Sequence, residues 1–272
     1  MTKYRTQVSK YQMAYQFYDS PSDEVVVFIH GIPTNSHLWD EVIPYLVNDY
    51  KVLAIDMIGY GDSERAPYYD LTLPKQANYL IELLNKLGIQ NAHFVGHDLG
   101  GGVVQLLATL YANRVKSFVI ADGVTFSNWP LPKVVSLCWP TAEIFEPSLA
   151  FIERMIREGV YHPKVVTPSV VNRFTLPFSD PRGPEALQQA ALALDHHQTE
   201  NLVPYLPQVN IPATLLWGQY DHYLPPYWGN LLSQTLPRAN FKLLKNCSHY
   251  SMLDNPSLFA TELLTHLHNN RQ

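Results

Sequence analysis

The sequence predicts an α/β protein with a mostly parallel central sheet, helices on both of its faces and an inserted helical cap. Short apolar, β-branched runs recur along the chain without polar alternation, which is typical of strands buried on both faces. Amphipathic helical segments separate most of these runs, and strand–helix alternation favours a parallel sheet covered by helices. One long helical stretch interrupts the alternation and indicates the cap.

Six segments have the pattern of a buried strand. They are residues 25–29, 50–56, 92–96, 116–121, 213–217 and 240–244. Helical spacing of apolar residues marks residues 73–87, 100–112 and 257–268. In an open α/β sheet, ligands bind outside the carboxyl ends of the strands, so we expect the polar side chains that follow these runs to share one edge.

The helical stretch lies between the fourth and fifth of these strands. Residues 125–205 are proline-broken and rich in aromatic side chains, and no buried-strand run interrupts them. The sequence therefore predicts an inserted cap over residues 125–205 and a core made of residues 1–124 and 206–272.

Composition narrows the class of protein further. The chain has 272 residues, 46% hydrophobic content and a formal net charge of -5, and it has no run of basic residues. Nucleic acid and anionic membrane are therefore not expected as partners. The polar start lacks the features of a secretory signal, and two cysteines are too few for a disulfide framework or a metal cluster. We expect a cytoplasmic protein without cofactor or metal; the oligomeric state is left open.

The segment Gly96-His97-Asp98-Leu99-Gly100 carries the sharpest chemical signal. It follows a predicted strand and opens a predicted helix, and its small-x-nucleophile-x-small spacing is that of a nucleophile elbow. An aspartate stands where a serine is usual, and a helix N-terminus favours negative charge there. The alternative, purely structural interpretation is that Asp98 only caps the helix.

Two further residues complete a predicted triad. His249 follows the last predicted strand and is the candidate base, although the chain has eleven histidines. Asp221 ends the strand before it and is the candidate acid that orients the imidazole. Asp122, also at the end of a strand, is the alternative acid.

The loop His30-Gly31-Ile32-Pro33 contributes backbone rather than side chain. Gly31 permits a tight turn, and the backbone N–H groups of Ile32 and Leu99 are the predicted oxyanion hole.

Together these segments resemble the α/β-hydrolase superfamily over nearly all of the chain outside the cap. The Gly-His-Asp elbow and the His-Gly-Ile-Pro loop look like its haloalkane dehalogenase and epoxide hydrolase branch. That resemblance implies an α/β-hydrolase fold, with Asp98 as nucleophile, His249 as base and Asp221 as base-orienting acid. In some dehalogenases the acid follows the earlier strand, which keeps Asp122 as the alternative.

The chain departs from both families at the leaving group. Dehalogenases usually have tryptophan where this chain has Leu99, and often asparagine where it has Ile32. Epoxide hydrolases usually have a late-cap tyrosine, which is absent near residues 190–192. The candidates for substrate binding are Trp39, Asn35, Trp129 and Tyr161.

An aspartate nucleophile favours a particular reaction. Its carboxylate needs no base to attack a saturated carbon, and the product is an ester on the enzyme that activated water hydrolyses. The predicted partners are thus a small apolar epoxide or haloalkane and water. The alternatives are an esterase-like hydrolase with other substrates, or a catalytically silent hydrolase-fold protein that binds small molecules.

Overall fold

Eight strands form one sheet in the computed structural model, which describes residues 3–139 and 148–271. Its order is β1-β2-β4-β3-β5-β6-β7-β8, and only the pairs β1–β2 and β2–β4 are antiparallel. The mostly parallel sheet predicted from the sequence is confirmed. The strands are β1 Lys3–Val8, β2 Tyr11–Tyr18, β3 Val25–Ile29, β4 Lys51–Ile55, β5 Ala92–His97, β6 Val115–Ala121, β7 Ala213–Gly218 and β8 Ala239–Leu244.

The first two strands were missed by the sequence analysis, which described this region only as polar and rich in tyrosine. They form a hairpin whose turn contains Ser9 at a positive φ of 51°. Exposed residues predominate in the edge strand β1, so it lacks the continuous apolar run that marks the buried strands. β3, by contrast, is buried at every position, which requires cover on both faces of the sheet.

Helices supply that cover. α2 packs on β5 and β6, α10 packs on β6 and β7, and α8 packs on β7 and β8. Within the described residues, no helix has the length and apolar character needed to cross a membrane. The α-helices are α1 Leu73–Lys86, α2 Leu99–Leu110, α3 Pro132–Val135, α4 Ser148–Glu158, α5 Pro168–Thr175, α6 Gly183–Leu192, α7 His197–Glu200, α8 Pro226–Thr235, α9 Ser251–Asp254 and α10 Pro256–Asn269.

The interruption between β6 and β7 consists of α3 to α7, joined by turns, with no strand among its described residues. α4 contacts α5 and α6, and Phe151 and Phe174 are fully buried there. Residues 140–147 of the predicted cap lie outside the described residues. The division into a core and a cap at residues 124/125 and 205/206 stays a prediction.

Strand register brings four strand ends to one edge of the sheet. Ile29 of β3 lies beside Gly96 of β5, and His97 lies beside Ala121 of β6. Ala121 in turn lies beside Leu216 of β7. The loops that follow β3, β5, β6 and β7 therefore start next to one another, which places their polar side chains within reach of a common ligand.

Candidate active site

Asp98 occupies a strained turn between β5 and α2. Its backbone has φ 49° and ψ -116°, a conformation that non-glycine residues rarely adopt. Glycine is required beside it: a Cβ on Gly100 would overlap the carbonyl oxygen of Ile29, and one on Gly96 would overlap the backbone of Gly100. These contacts explain why small residues flank the nucleophile position in the sequence.

Two backbone donors hold the Asp98 carboxylate. Its Oδ1 accepts the Ile32 N–H at 2.9 Å, and the Leu99 N–H also donates to this group. A Cβ on Gly31 would overlap the same carboxylate, so the loop after β3 approaches Asp98 more closely than any other residue would allow. The two N–H groups predicted as an oxyanion hole thus both donate to the Asp98 carboxylate.

His249 lies between Asp98 and Asp221. Its Nε2 is 3.9 Å from Asp98 Oδ2, and its Nδ1 is 3.0 Å from Asp221 Oδ2. The other oxygen of Asp221 accepts the N–H groups of Tyr223 and Leu224, both at 2.9 Å. This carboxylate is therefore fixed in place, and it orients the imidazole with Nε2 toward Asp98.

Asp122 lies under this site and is hydrogen-bonded elsewhere. Its oxygens accept the Gly218 N–H and the Ser251 hydroxyl, each at 2.7 Å. Of the two candidate acids, the structure puts Asp221 in hydrogen-bond contact with the His249 ring. Asp122 contacts Asp221 instead.

Burial changes how the two facing groups titrate. Desolvation raises the pKa of Asp98 to about 6, against the opposing effects of His249 and the Leu99 and Ile32 N–H groups. Desolvation alone would lower the pKa of His249, but the Asp221 and Asp98 carboxylates outweigh it, and the net shift is upward. Asp98 therefore loses its proton at a higher pH than an ordinary aspartate does.

A small, mostly apolar cavity lies above Asp98 and His249. Its volume is about 20 Å³, which is enough for about one water molecule. The polar atoms of its aromatic walls point away, because Trp129 Nε1–H donates to Thr199 and the Tyr223 hydroxyl donates to Met155. Its other lining residues are Ile32, Leu99, Val124, Pro130, Leu131, Val134, Met155, Leu194 and Leu224.

Only one of the four substrate-binding candidates, Trp129, lines this cavity. Trp39 is fully buried against Phe28, with ring centroids 4.8 Å apart, because the short helix that bears it packs on the sheet. The Asn35 amide donates to the Arg173 carbonyl at 2.8 Å.

Tyr161 is also outside the cavity wall. It is 39% exposed and stacks on Tyr220, with ring centroids 4.8 Å apart. Packing directs the side chains of Trp39, Asn35 and Tyr161 to the core, to a backbone carbonyl and to the surface, and their role in substrate binding stays a prediction.

The sequence analysis missed the groups that fix the His249 loop. His97 Nε2 lies 3.0 Å from the His249 carbonyl oxygen, and burial keeps the pKa of His97 well below its usual value, so this ring is neutral and can donate. Asp254 accepts the N–H groups of Ser248, Tyr161 and His162 at 2.8–2.9 Å. His97 could have been suspected from its place in the elbow, whereas no local pattern points to Asp254.

Comparisons with known proteins agree with this architecture. A family model described as alpha/beta hydrolase fold matches residues 24–138. The "Uncharacterized hydrolase YugF" of Bacillus subtilis is 26% identical over 254 residues, which cover 92% of each chain. A 2-hydroxy-6-oxononadienedioate/2-hydroxy-6-oxononatrienedioate hydrolase of Pseudomonas sp is 26% identical over 257 residues, covering 90% of this chain and 88% of that protein.

A solved structure shows the same fold at lower sequence identity. The epoxide hydrolase CorEH, without ligand, superimposes with a TM-score of 0.84 at 22% identity and covers 99% of each chain. The chain thus has the α/β-hydrolase fold. Within that class, the aspartate at the elbow is the feature that bears on its chemistry.

Proposed function

We propose that the chain is a hydrolase in which Asp98 forms an ester with a saturated carbon of the substrate and His249 then activates water to hydrolyse it. The observation that carries this proposal is that the two oxygens of the Asp98 carboxylate face different groups, backbone N–H donors on one side and the His249 ring on the other. Oδ1 accepts the Ile32 N–H, the Leu99 N–H also donates to the carboxylate, and Oδ2 lies 3.9 Å from His249 Nε2.

In the first step, Oδ2 of ionised Asp98 attacks the carbon, a C–O bond forms, and the bond to the leaving halogen or epoxide oxygen breaks. The leaving atom takes the bonding electron pair. Oδ1 becomes the carbonyl oxygen of the new ester and keeps the Ile32 N–H as a donor. No proton has to leave the nucleophile, because a carboxyl with a pKa of about 6 is mostly ionised at neutral pH.

Ester formation removes the negative charge of Asp98, and this favours the second step. The ester is uncharged, so one of the carboxylates that raise the pKa of His249 disappears and the imidazole becomes neutral more readily. Nε2 then takes a proton from water, whose oxygen adds to the carboxyl carbon of Asp98. Negative charge develops on Oδ1, where loss of one N–H donor typically costs about 2.7–4 kcal/mol of transition-state stabilisation. Collapse releases the alcohol, which receives the proton from His249. The Asp98 carboxyl then loses its own proton, to the alkoxide oxygen of an opened epoxide or, after halide release, to solvent.

The cavity favours a small apolar substrate, such as an epoxide or a haloalkane. Its walls are mostly aliphatic and aromatic, and the polar atoms of Trp129 and Tyr223 are already hydrogen-bonded. A volume of about 20 Å³ also requires wall side chains such as Leu131 and Val134 to move apart when substrate binds. Two of the similar proteins are named as an epoxide hydrolase and a dienedioate hydrolase, and these names are consistent with a hydrolytic reaction on this fold.

Heavy-oxygen water tests the ester mechanism. Epoxides, haloalkanes and activated esters are first screened for diol, halide and acid release. One turnover of an active substrate in heavy-oxygen water should then label the peptide that contains Asp98, because the water oxygen ends in its carboxyl group. Turnover with label only in the product would contradict the proposal.

Trapping the ester gives a second, independent readout. His249→Gln should retain the first step and lose the second, so intact-protein mass spectrometry should show an alkyl adduct after incubation with an active substrate. The matched control is the double variant Asp98→Asn/His249→Gln, which should show none. An adduct on both variants, or on neither, would argue against Asp98 as the nucleophile.

A further inference from the structure

A cluster of two imidazoles and two carboxylates lies on the surface at α7, outside the site described above. Asp195, His196, His197 and Glu200 form it, and one donor atom from each of the first three lies within 4.8 Å of the others. His196 already has helical backbone angles, so its side chain and that of Glu200 share one helix face at i and i+4. No metal was expected from the sequence, because only the two cysteines were considered as ligands.

The distances between donor atoms suit a tetrahedral ion. Glu200 Oε2 lies 3.5 Å from His196 Nε2 and 3.9 Å from His197 Nε2. Zinc bonds of about 2.0–2.1 Å at tetrahedral angles separate neighbouring ligand atoms by about 3.3 Å, so Glu200 Oε2 lies close to the separation from each imidazole nitrogen that a shared ion requires. The two rings stack with centroids 4.2 Å apart, and both edges therefore reach the same carboxylate.

Asp195 contacts the second ring nitrogen of His197, Nδ1, and so leaves Nε2 for the ion. Its Oδ1 lies 2.7 Å from His197 Nδ1 and also accepts the His197 N–H at 3.0 Å. Metal-binding histidines almost always donate their second ring N–H to such a group, which fixes the tautomer and directs Nε2 toward the ion. The two carboxylates of the cluster also match the charge of a divalent ion.

We propose that His196 Nε2, His197 Nε2 and Glu200 Oε2 bind a divalent transition-metal ion such as Zn²⁺, with Asp195 orienting His197. Imidazole donors favour zinc, copper or nickel over magnesium and calcium. The site adjoins the cavity wall: Leu194 precedes it and lines the cavity, and Thr199 within it accepts the Trp129 Nε1–H at 2.7 Å. A bound ion therefore stiffens the segment that supports this wall.

Calorimetric titration of tag-free protein with Zn²⁺ at about pH 7.5, where free imidazole is mostly neutral, tests the site. We expect one saturable site per chain, much weaker binding of Mg²⁺, and a visible spectrum of tetrahedral Co²⁺. His196→Ala/His197→Ala should weaken Zn²⁺ binding by far more than tenfold. Asp195→Asn should weaken it about 10–100-fold, as loss of an orienting partner does.

The matched control removes two other exposed imidazoles, in the variant His162→Ala/His268→Ala. It should bind Zn²⁺ as the parent does. Binding that persists in His196→Ala/His197→Ala, that falls equally in the control, or that never reaches one ion per chain would overturn the proposal. Thermal melts of the metal-free variants check that each is folded, and the Asp195→Asn titration gives an independent result if the double variant is not.

Discussion

The ends of β5 and β6 carry two aspartates in nearly the same backbone conformation and in different surroundings. Asp98 and Asp122 have positive φ angles of 49° and 47°, and burial raises the pKa of both carboxyl groups. Asp98 is 8% exposed, borders the cavity and faces His249. Asp122 is fully buried, and its hydrogen bonds go to Gly218 and Ser251.

The difference shows that a buried carboxyl at a strand end acquires a chemical role only through its neighbours. Asp98 has the protonatable partner His249 and free space above it. Asp122 lies beside the Asp221 carboxylate, which together with burial keeps the pKa of Asp122 well above its usual value. Burial and the Asp221 carboxylate therefore disfavour ionisation of Asp122, whereas Asp98 has a pKa of about 6.

The largest expected effect comes from changing Asp98. Asp98→Asn should lower turnover by about ten-thousand-fold or more, because an amide is a far poorer nucleophile. The same variant should be more stable than the parent at neutral pH. The pKa of this carboxyl rises from 3.8 to about 6 on folding, so ionised Asp98 costs about 3 kcal/mol of unfolding free energy above pH 6.

Urea unfolding of Asp98→Asn and the parent at about pH 5 and about pH 8 measures this stability effect, since a raised pKa contributes stability at low pH that is lost as pH rises. The gain of the variant should be larger at the higher pH. A variant less stable than the parent at both pH values would contradict the claim that ionised Asp98 is poorly solvated.

Asp221 should matter almost as much as Asp98. Asp221→Asn leaves the backbone donors in place but holds His249 in the wrong tautomer, and we expect turnover to fall by about a thousand- to ten-thousand-fold. Adduct mass spectrometry should show the ester accumulating, because the loss falls on hydrolysis. Near-normal turnover would instead mean that Asp122 replaces Asp221 as the acid.

The pH dependence should follow Asp98. Ester formation requires the ionised carboxylate, so kcat/KM should fall about tenfold per pH unit below a midpoint near pH 6. Asp122→Asn should leave that midpoint unchanged, because the hydrogen bonds of Asp122 go to Gly218, Ser251 and Asp221 rather than to Asp98. A midpoint near pH 4, or one that moves in Asp122→Asn, would contradict the assignment of this midpoint to the Asp98 carboxyl.

The smallest expected effect is that of Asp122 on turnover. Asp122→Asn resembles the neutral acid in shape and should keep turnover within about threefold, less than about 1 kcal/mol. Asp122→Ala leaves the Gly218 N–H and the Ser251 hydroxyl without an acceptor and should lower the free energy of unfolding by about 2 kcal/mol. Chemical denaturation and steady-state rates of the two variants separate the supporting role from a catalytic one.

Some features could be predicted because they depend on neighbours in sequence. The run at residues 25–29 predicted β3 at its observed bounds, because a strand buried on both faces is apolar at every position. The flanking glycines predicted the turn at Asp98, since only small residues fit the close backbone approach. The hairpin of β1 and β2 was missed because the exposed edge strand lacks a continuous apolar run.

Local sequence patterns predicted the chain order of β3 to β8 and of the helices α1, α2 and α10, the tight turn at Asp98 and the loop ends that share one edge of the sheet. Only the tertiary structure decided that Asp221 rather than Asp122 contacts His249, that Trp39 lies in the core, and that Asp254 fixes the histidine loop. The reason is that a sequence pattern involves only residues that are close together in the chain. Local patterns set backbone conformation, whereas contacts between segments far apart in the chain depend on how the sheet, its helices and the intervening α3–α7 segment pack together.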